Sequence, residues 1–320
     1  MSVQPLGLHH VTAIATDPQR NVEFYTQHLG LRLVKQTVNF DAPEVYHLYY
    51  GDEAGRPGTL LTFFPWGGVP AGRRGTGQAT TTSFSVPEAS LGYWKQRLEL
   101  HGVAVREAVT RMEEDALSFY DPDGLLIELV AHVGASTGSG WAGSDVPAEH
   151  AIRGLHSVTF CEDGTEVTAS LLTETLGFRL VDESADRLRF DVGEGGPGAR
   201  VDVVAQPGGP RGIVAGGTVH HVAWRAPDRD AETEWRKHII EAGVAVTPII
   251  NRCYFESIYF REPGGVLLEI ATDPPGFTID EPLLELGRRL RLPPWLEPDR
   301  EQIERGLPAL DLPAVVAKGS

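Results

Sequence analysis

The stretch GLHHVT at residues 7–12 returns as GLHSVT at 154–159, and HLGLRLV at 28–34 returns as TLGFRLV at 175–181, both 147 residues later. A second set of phrases repeats as well: HGVAV at 101–105 matches AGVAV at 242–246, and DPDGLLIEL at 121–129 matches EPGGVLLEI at 262–270, both 141 residues later. Self-similarity of this kind sets the architecture before any local reading does, so the chain is a tandem duplication. Each half is itself double, since the opening run LHHVTAIA at 8–15 has its counterpart in VHHVAWRA at 219–226. Four modules follow, at about 7–66, 79–132, 153–207 and 217–273.

Each module opens on a β-branched, alternating run and continues into an apolar 3.6-residue pattern that a glycine closes. In the first module Thr16 or Asp17 can cap a helix, Pro18 suits its first turn, and Val22, Tyr25 and Leu29 share a face that ends at Gly30. In the fourth, Asp228, Ala231, Trp235 and Ile239 repeat the design up to Gly243. Short strands separated by Gly/Pro turns complete each unit. The expected fold is α+β: four β-α-β-β-β modules in two tandem halves, with paired curved mixed sheets enclosing a cavity. An N-terminal domain at 1–133, a Gly/Ser-rich linker at 134–152, a C-terminal domain at 153–275 and a helical tail at 276–320 divide the chain. Stretches such as EPLLELGRRL suggest that the tail could cover the site or a subunit interface.

Residues that converge in a cavity between paired modules lie on the first and last strands. On the first strand, His10 aligns with Thr81, Ser157 and His221; on the last, Thr62 aligns with Glu128, Asp202 and Glu269. Modules one and four therefore supply His10, His221 and Glu269, with Thr62 where a fourth ligand would stand. Modules two and three supply no histidine at these positions. Two histidines and one carboxylate form a facial triad that leaves coordination positions open on a redox-active ion. Glu269 lies in the apolar run VLLEIA, where an unpaired carboxylate is costly. Glu128 lies in a similar run without a histidine, so it pairs with an arginine or is a structural relic. His9, His156 and His220 alternate with the ligand positions and should face the other way, unless a bulge turns them inward to hold a ligand or pass a proton.

Composition narrows the chemistry further. Among 320 residues, 28 Lys+Arg against 44 Asp+Glu give a net charge of −16, which offers no field for a nucleic acid backbone or an anionic bilayer. Two cysteines, Cys161 and Cys253, exclude a disulfide framework and a thiolate-rich metal site. No basic leader or long apolar span is evident, and the expected location is cytoplasmic. Two motifs are decoys. Gly193, Gly195 and Gly198 satisfy G-x-G-x-x-G, but Pro197 interrupts them and a strand pattern follows. Gly134, Ser136 and Gly138 satisfy G-x-S-x-G inside the linker, without a strand-turn-helix context. The pair Arg73-Arg74 reads as a surface turn or a channel loop.

With these residues in place, the chain resembles the vicinal-oxygen-chelate superfamily, which embraces glyoxalases, bleomycin resistance proteins and extradiol dioxygenases. LHHVT, LVKQTVNFD, YHLYYGDE, PGTLLTFFPW, VHHVAW, NRCYFESIYFREPGG and VLLEIATDPPGF look like the hydroquinone-cleaving branch, over roughly residues 7–300. The resemblance implies a ring-cleaving, extradiol-type dioxygenase that degrades aromatic compounds, with Fe(II), or less often Mn(II), at His10, His221 and Glu269. It also implies active-site roles for Tyr259, Arg252, His9, Thr12 and His220. Tyr259 could bond a ring hydroxyl or act as a general acid, and Arg252 could hold a developing anion; equally, Tyr259 could be a core aromatic and Arg252 half of a surface ion pair. The partners implied are a small aromatic diol and dioxygen, with a homo-oligomer as the assembly. Two alternatives share the fold: a glyoxalase-like isomerase, against which Thr62 speaks, and a metal-free binding protein, against which the triad speaks.

Overall fold

A computed structural model describes residues 5–137, 140–184 and 186–312. Gly138 of the G-x-S-x-G match and the end of the tail lie outside the described residues. Module one comprises β1 (Leu8–Ala15), α1 (Pro18–Glu23), β2 (Arg32–Asn39), β3 (Ala42–Gly51) and β4 (Leu60–Pro65). Module two comprises β5 (Gln78–Pro87), α2 (Leu91–Leu100), β6 (Val109–Arg111), β7 (Glu114–Tyr120) and β8 (Leu126–His132). Module three has β9 (Leu155–Glu162), α3 (Glu166–Ser170), β10 (Arg179–Glu183), β11 (Arg187–Asp191) and β12 (Arg200–Ala205). Module four has β13 (Thr218–Ala226), α4 (Arg229–Glu241), β14 (Ile250–Asn251), β15 (Glu256–Arg261) and β16 (Leu267–Thr272). Each is β-α-β-β-β.

The helix signals act locally. The Asp17 carboxylate accepts from the backbone N–H of Arg20 at 2.8 Å and Asp228 from that of Ala231 at 2.9 Å, while Pro18 occupies the first turn. After α1 the backbone widens into a π turn at Phe24–His28, and the copy in module three does the same at Leu171–Thr175. Gly30 then takes φ +68°, the left-handed conformation that favours glycine.

Among the described residues sixteen strands form two mixed sheets of eight, ordered β14-β15-β16-β13-β1-β4-β3-β2 and β10-β11-β12-β9-β5-β8-β7-β6. Within a module the first strand runs parallel to the last, and at the centre of each sheet two first strands meet antiparallel. Modules one and four thus share one sheet and modules two and three the other, so each sheet draws on both halves of the chain. The helices bury indoles against the sheets: Trp94 on α2 and Trp235 on α4 are almost fully enclosed.

The tail departs from the helical expectation. Only Leu283–Glu285 forms a 3₁₀ turn within EPLLELGRRL, and one α-helix, Arg300–Gly306 (α5), comes later. The segment is held open by module one instead. Arg32 donates to the carbonyls of Leu283 and Leu286 at 2.7 and 3.4 Å, and buried Lys35 donates to the Phe277 carbonyl at 3.2 Å and pairs with Asp280 and Glu281. Gly287, at φ +76°, lies so close to the Leu33 carbonyl that any Cβ would collide with it. Carbonyls drawn to these side chains are not available to a helix.

Candidate metal centre

At the seam of the first sheet each central strand carries one extra residue. Between Leu8 and His10 on β1 the partner advances only from Trp224 to Ala223, which leaves His9 unpaired; between His221 and Val219 on β13 the partner advances only from Thr12 to Ala13, which leaves His220 unpaired. These are β-bulges, related by the internal symmetry, and they turn adjacent side chains toward one another. His9 Nδ1 meets His10 Nδ1 at 2.9 Å, and His220 Nδ1 meets His221 Nδ1 at 2.8 Å.

The proton on each ring follows from these contacts. His9 Nε2 lies 3.2 Å from the Thr272 carbonyl, which can only accept, so Nε2 carries the hydrogen. Burial lowers His9 to about 3 and keeps it neutral, which makes its Nδ1 an acceptor for the His10 Nδ1–H. On a neutral His10 ring this leaves Nε2 as the lone pair. His220, lowered to about 3 by burial and by its histidine neighbour, can hold His221 in the same way.

Both lone pairs aim at Glu269. Parallel pairing sets Glu269 on β16 beside Ala223, two residues beyond His221, and its Oε2 lies 3.2 Å from His10 Nε2 and 2.9 Å from His221 Nε2. The two Nε2 atoms are 3.2 Å apart. Ser257 donates to the other oxygen, Oε1, and Oε2 has no properly oriented donor although it is fully buried. Burial raises the Glu269 carboxyl, but positive charge and N–H donation from His10 and His221, available only when those rings carry the extra proton, outweigh this and hold it well below the usual range. A divalent cation bound to the neutral rings would supply the same compensation. Two nitrogen lone pairs and one carboxylate oxygen, all within 4.8 Å of one another, are a donor set that suits a divalent transition metal.

A cavity of about 400 Å³ opens beside this cluster, and His10, His220, His221, Arg252, Phe255 and Tyr259 are among the residues that line it. Tyr259 stands opposite Glu269 in the β15–β16 pairing, its ring 5.7 Å from that of His221. Burial, then the Glu269 charge, raises its phenol above the ordinary value. The Arg252 guanidinium donates through Nε to the Tyr259 hydroxyl at 3.2 Å and pairs with Asp41 at 2.9 Å, bridging from module four to the β2–β3 turn of module one. Arg252 thus makes an ion pair and also lines the cavity. Thr12 is fully buried and points at Thr62, with the hydroxyl oxygens 2.7 Å apart.

Three contributors escaped the sequence reading. Thr62 also meets His47 Nε2 at 2.9 Å, and His47 Nδ1 meets the Tyr49 hydroxyl at 2.8 Å, so the fourth-ligand position anchors a chain of hydrogen bonds along the cavity wall. Burial lowers His47 well below its ordinary value. Ser257 is the third. Strand alternation was the available signal, since His47 with Tyr49, and Ser257 with Tyr259, are pairs two residues apart.

The second sheet repeats the scaffold with other contents. Thr80 and His156 occupy the bulge positions, and ion pairs fill the centre. Glu128 accepts from Ser83 at 3.1 Å and pairs with Arg111. Asp202 pairs with Arg187 at 2.7 Å and Arg189 at 2.8 Å, while Arg189 also reaches Glu114 at 2.7 Å. Among the described residues the only three-residue cluster of metal-type ligands is His10, His221 and Glu269. The decoys also resolve: Gly193 to Gly198 form the turn between β11 and β12, and the loop bearing Arg73 zips against residues 211–216.

The family model described as the glyoxalase/bleomycin resistance protein/dioxygenase superfamily matches residues 7–129 and 154–270. MhqO of Bacillus subtilis (strain 168), named provisionally as a ring-cleaving dioxygenase, is 44% identical over 96% of this chain and 97% of its own. A chlorohydroquinone/hydroquinone 1,2-dioxygenase of Sphingobium indicum is 35% identical over 93% of this chain and 95% of its own. A solved Bacillus subtilis structure, described provisionally as a dioxygenase, superposes with a TM-score of 0.93 at 42% identity, covering 98% of this chain and 99% of that one. Glyoxalase I from Zea mays shares the fold, with a TM-score of 0.63 at 15% identity over 83% of this chain and 92% of that one.

Proposed function

The chain belongs to the glyoxalase/bleomycin resistance protein/dioxygenase superfamily, and we propose that within it this protein is a non-haem Fe(II)-dependent dioxygenase that opens the ring of a hydroquinone- or catechol-type diol, both oxygen atoms of dioxygen entering the product. The observation that carries this reading is the convergence of two imidazole Nε2 atoms and a carboxylate oxygen without an oriented donor at the wall of an aromatic-lined cavity. A ferrous ion, or manganese in its place, would be held by His10, His221 and Glu269; when bound it supplies the Lewis acidity and redox chemistry that let a ring hydroxyl ionise and dioxygen react.

The remaining work falls to side chains. His9 and His220 keep the ligand imidazoles in the coordinating tautomer. His220 also faces the cavity as a neutral ring and can take the proton that a ring hydroxyl gives up. Tyr259, kept protonated, donates to a ring oxygen and serves as the acid when the ring breaks. Arg252 orients the Tyr259 hydroxyl and offsets negative charge developing on the diol. Thr12 fixes Thr62, and through it the His47 wall. Thr62 in place of a fourth ligand favours this chemistry over an isomerase.

The test is oxygen uptake by anaerobically purified, Fe(II)-loaded protein, scanned across hydroquinones and catechols while ring-opened products are followed by absorbance. Stoichiometric uptake with one class supports ring cleavage and chooses the class. Absence of uptake with all of them, in protein that binds the metal, rejects the reading.

A further inference from the structure

The two halves share the tripeptide Arg-Leu-Val at one edge of each sheet, yet its surroundings differ. In β2, Leu33 and Val34 are 8% and 0% exposed; in β10, the same residues, Leu180 and Val181, are 48% and 49% exposed. Both strands end their sheets, and both carry a bulge at the valine. What differs is the cover. On β2 the tail lies alongside: the Arg291 N–H donates to the Gln36 carbonyl at 2.9 Å, Gln36 bridges Leu290, and Phe277 packs near Val34. Among the described residues β10 pairs only with β11, and all five of its residues are exposed.

The pattern of exposure says what kind of cover is missing. Leu180 and Val181 flank the bulge, where strict alternation lapses, and both lie on the open edge. A segment added beside the strand would shield the two together, as the tail lies beside Leu33 and Val34 on β2. Open edges of this kind are templates for pairing. The sequence of β10, Arg179-Leu180-Val181-Asp182-Glu183, is complementary to itself when antiparallel: a two-fold axis at Val181 sets each Arg179 against the other copy's Glu183. A contact that is its own partner closes a dimer.

We propose that β10 is the interface through which two copies of this chain associate, edge to edge and antiparallel, to join their second sheets. The bulge at Val181 does not prevent this, because the tail docks on β2 beside the equivalent bulge at Val34. The metal centre lies in the other sheet, and association leaves it intact.

Sedimentation or light scattering of the full metal-loaded chain at micromolar concentration tests the interface. A dimer is expected. Arg179→Glu and Glu183→Arg each place like charges across the axis twice and should weaken dimerisation about tenfold or more, and the double charge swap should restore it. Val181→Lys, at a half-exposed site, should give a folded monomer with the metal content of the parent. A monomeric parent, a dimer that survives Val181→Lys, or a charge swap that fails to restore association would each overturn the proposal.

Discussion

His10 Nε2 and His221 Nε2 stand 3.2 Å apart although 211 residues separate them in the chain. Their strands meet only because module one pairs with module four, and a bulged histidine meets the far ring nitrogen of each. The cluster can be tested apart from catalysis: His10→Ala should lower metal affinity by more than the roughly 10–100-fold typical of losing a neighbour of a ligand. Competition with a metal-binding dye reads the loss, and circular dichroism should show unchanged strands.

Tyr259 stands opposite Glu269 but donates nothing to it. Tyr259→Phe should therefore keep the metal content of the parent, while kcat for ring opening falls about 10²–10⁴-fold, the range for a missing general acid. An unchanged kcat would return Tyr259 to the role of a core aromatic.

In the second sheet Arg189 neutralises both Asp202 and Glu114. Asp202 keeps Arg187 and Glu114 keeps Arg200 when Arg189 is lost, so Arg189→Ala should cost about 1–3 kcal/mol of unfolding free energy, below the penalty of a fully stranded buried charge. Chemical denaturation measures it. Metal affinity should not move, because the network occupies the sheet that lacks histidine ligands.

Glu232 on α4 is fully buried and neither carboxyl oxygen has a hydrogen-bond partner. Burial, with Glu256 and Glu269 adding to it, raises the group from an ordinary 4.5 to about 8. The folded chain thus retains a proton that the unfolded chain releases. The stabilisation is complete below pH 4.5 and is lost as pH rises through about 8. Glu232→Gln cannot ionise, so melting curves at pH 9 should show it at least about 1 kcal/mol more stable relative to its parent than at pH 5.

Sequence alone determined the modules and which two histidines and one glutamate come together, because a repeat carries its backbone frame with it. Once GLHHVT and VHHVAW are aligned, His10 and His221 occupy one position in two copies, and Glu269 and Thr62 another. The helix caps at Asp17 and Asp228 were legible for a related reason: each acts within four residues. Tertiary structure decided what depends on distant partners. The bulges that face His9 to His10 and His220 to His221 arise where two first strands pair, and the chain from Thr12 through Thr62 to His47 and Tyr49 runs across three strands. The tail's LLEL pattern suits a helix in isolation, yet Arg32, Lys35 and the crowded Gly287 hold it open along β2. The same Arg-Leu-Val is core in one half and surface in the other, because burial depends on what lies alongside a strand, and only one of the two edges has a tail to cover it.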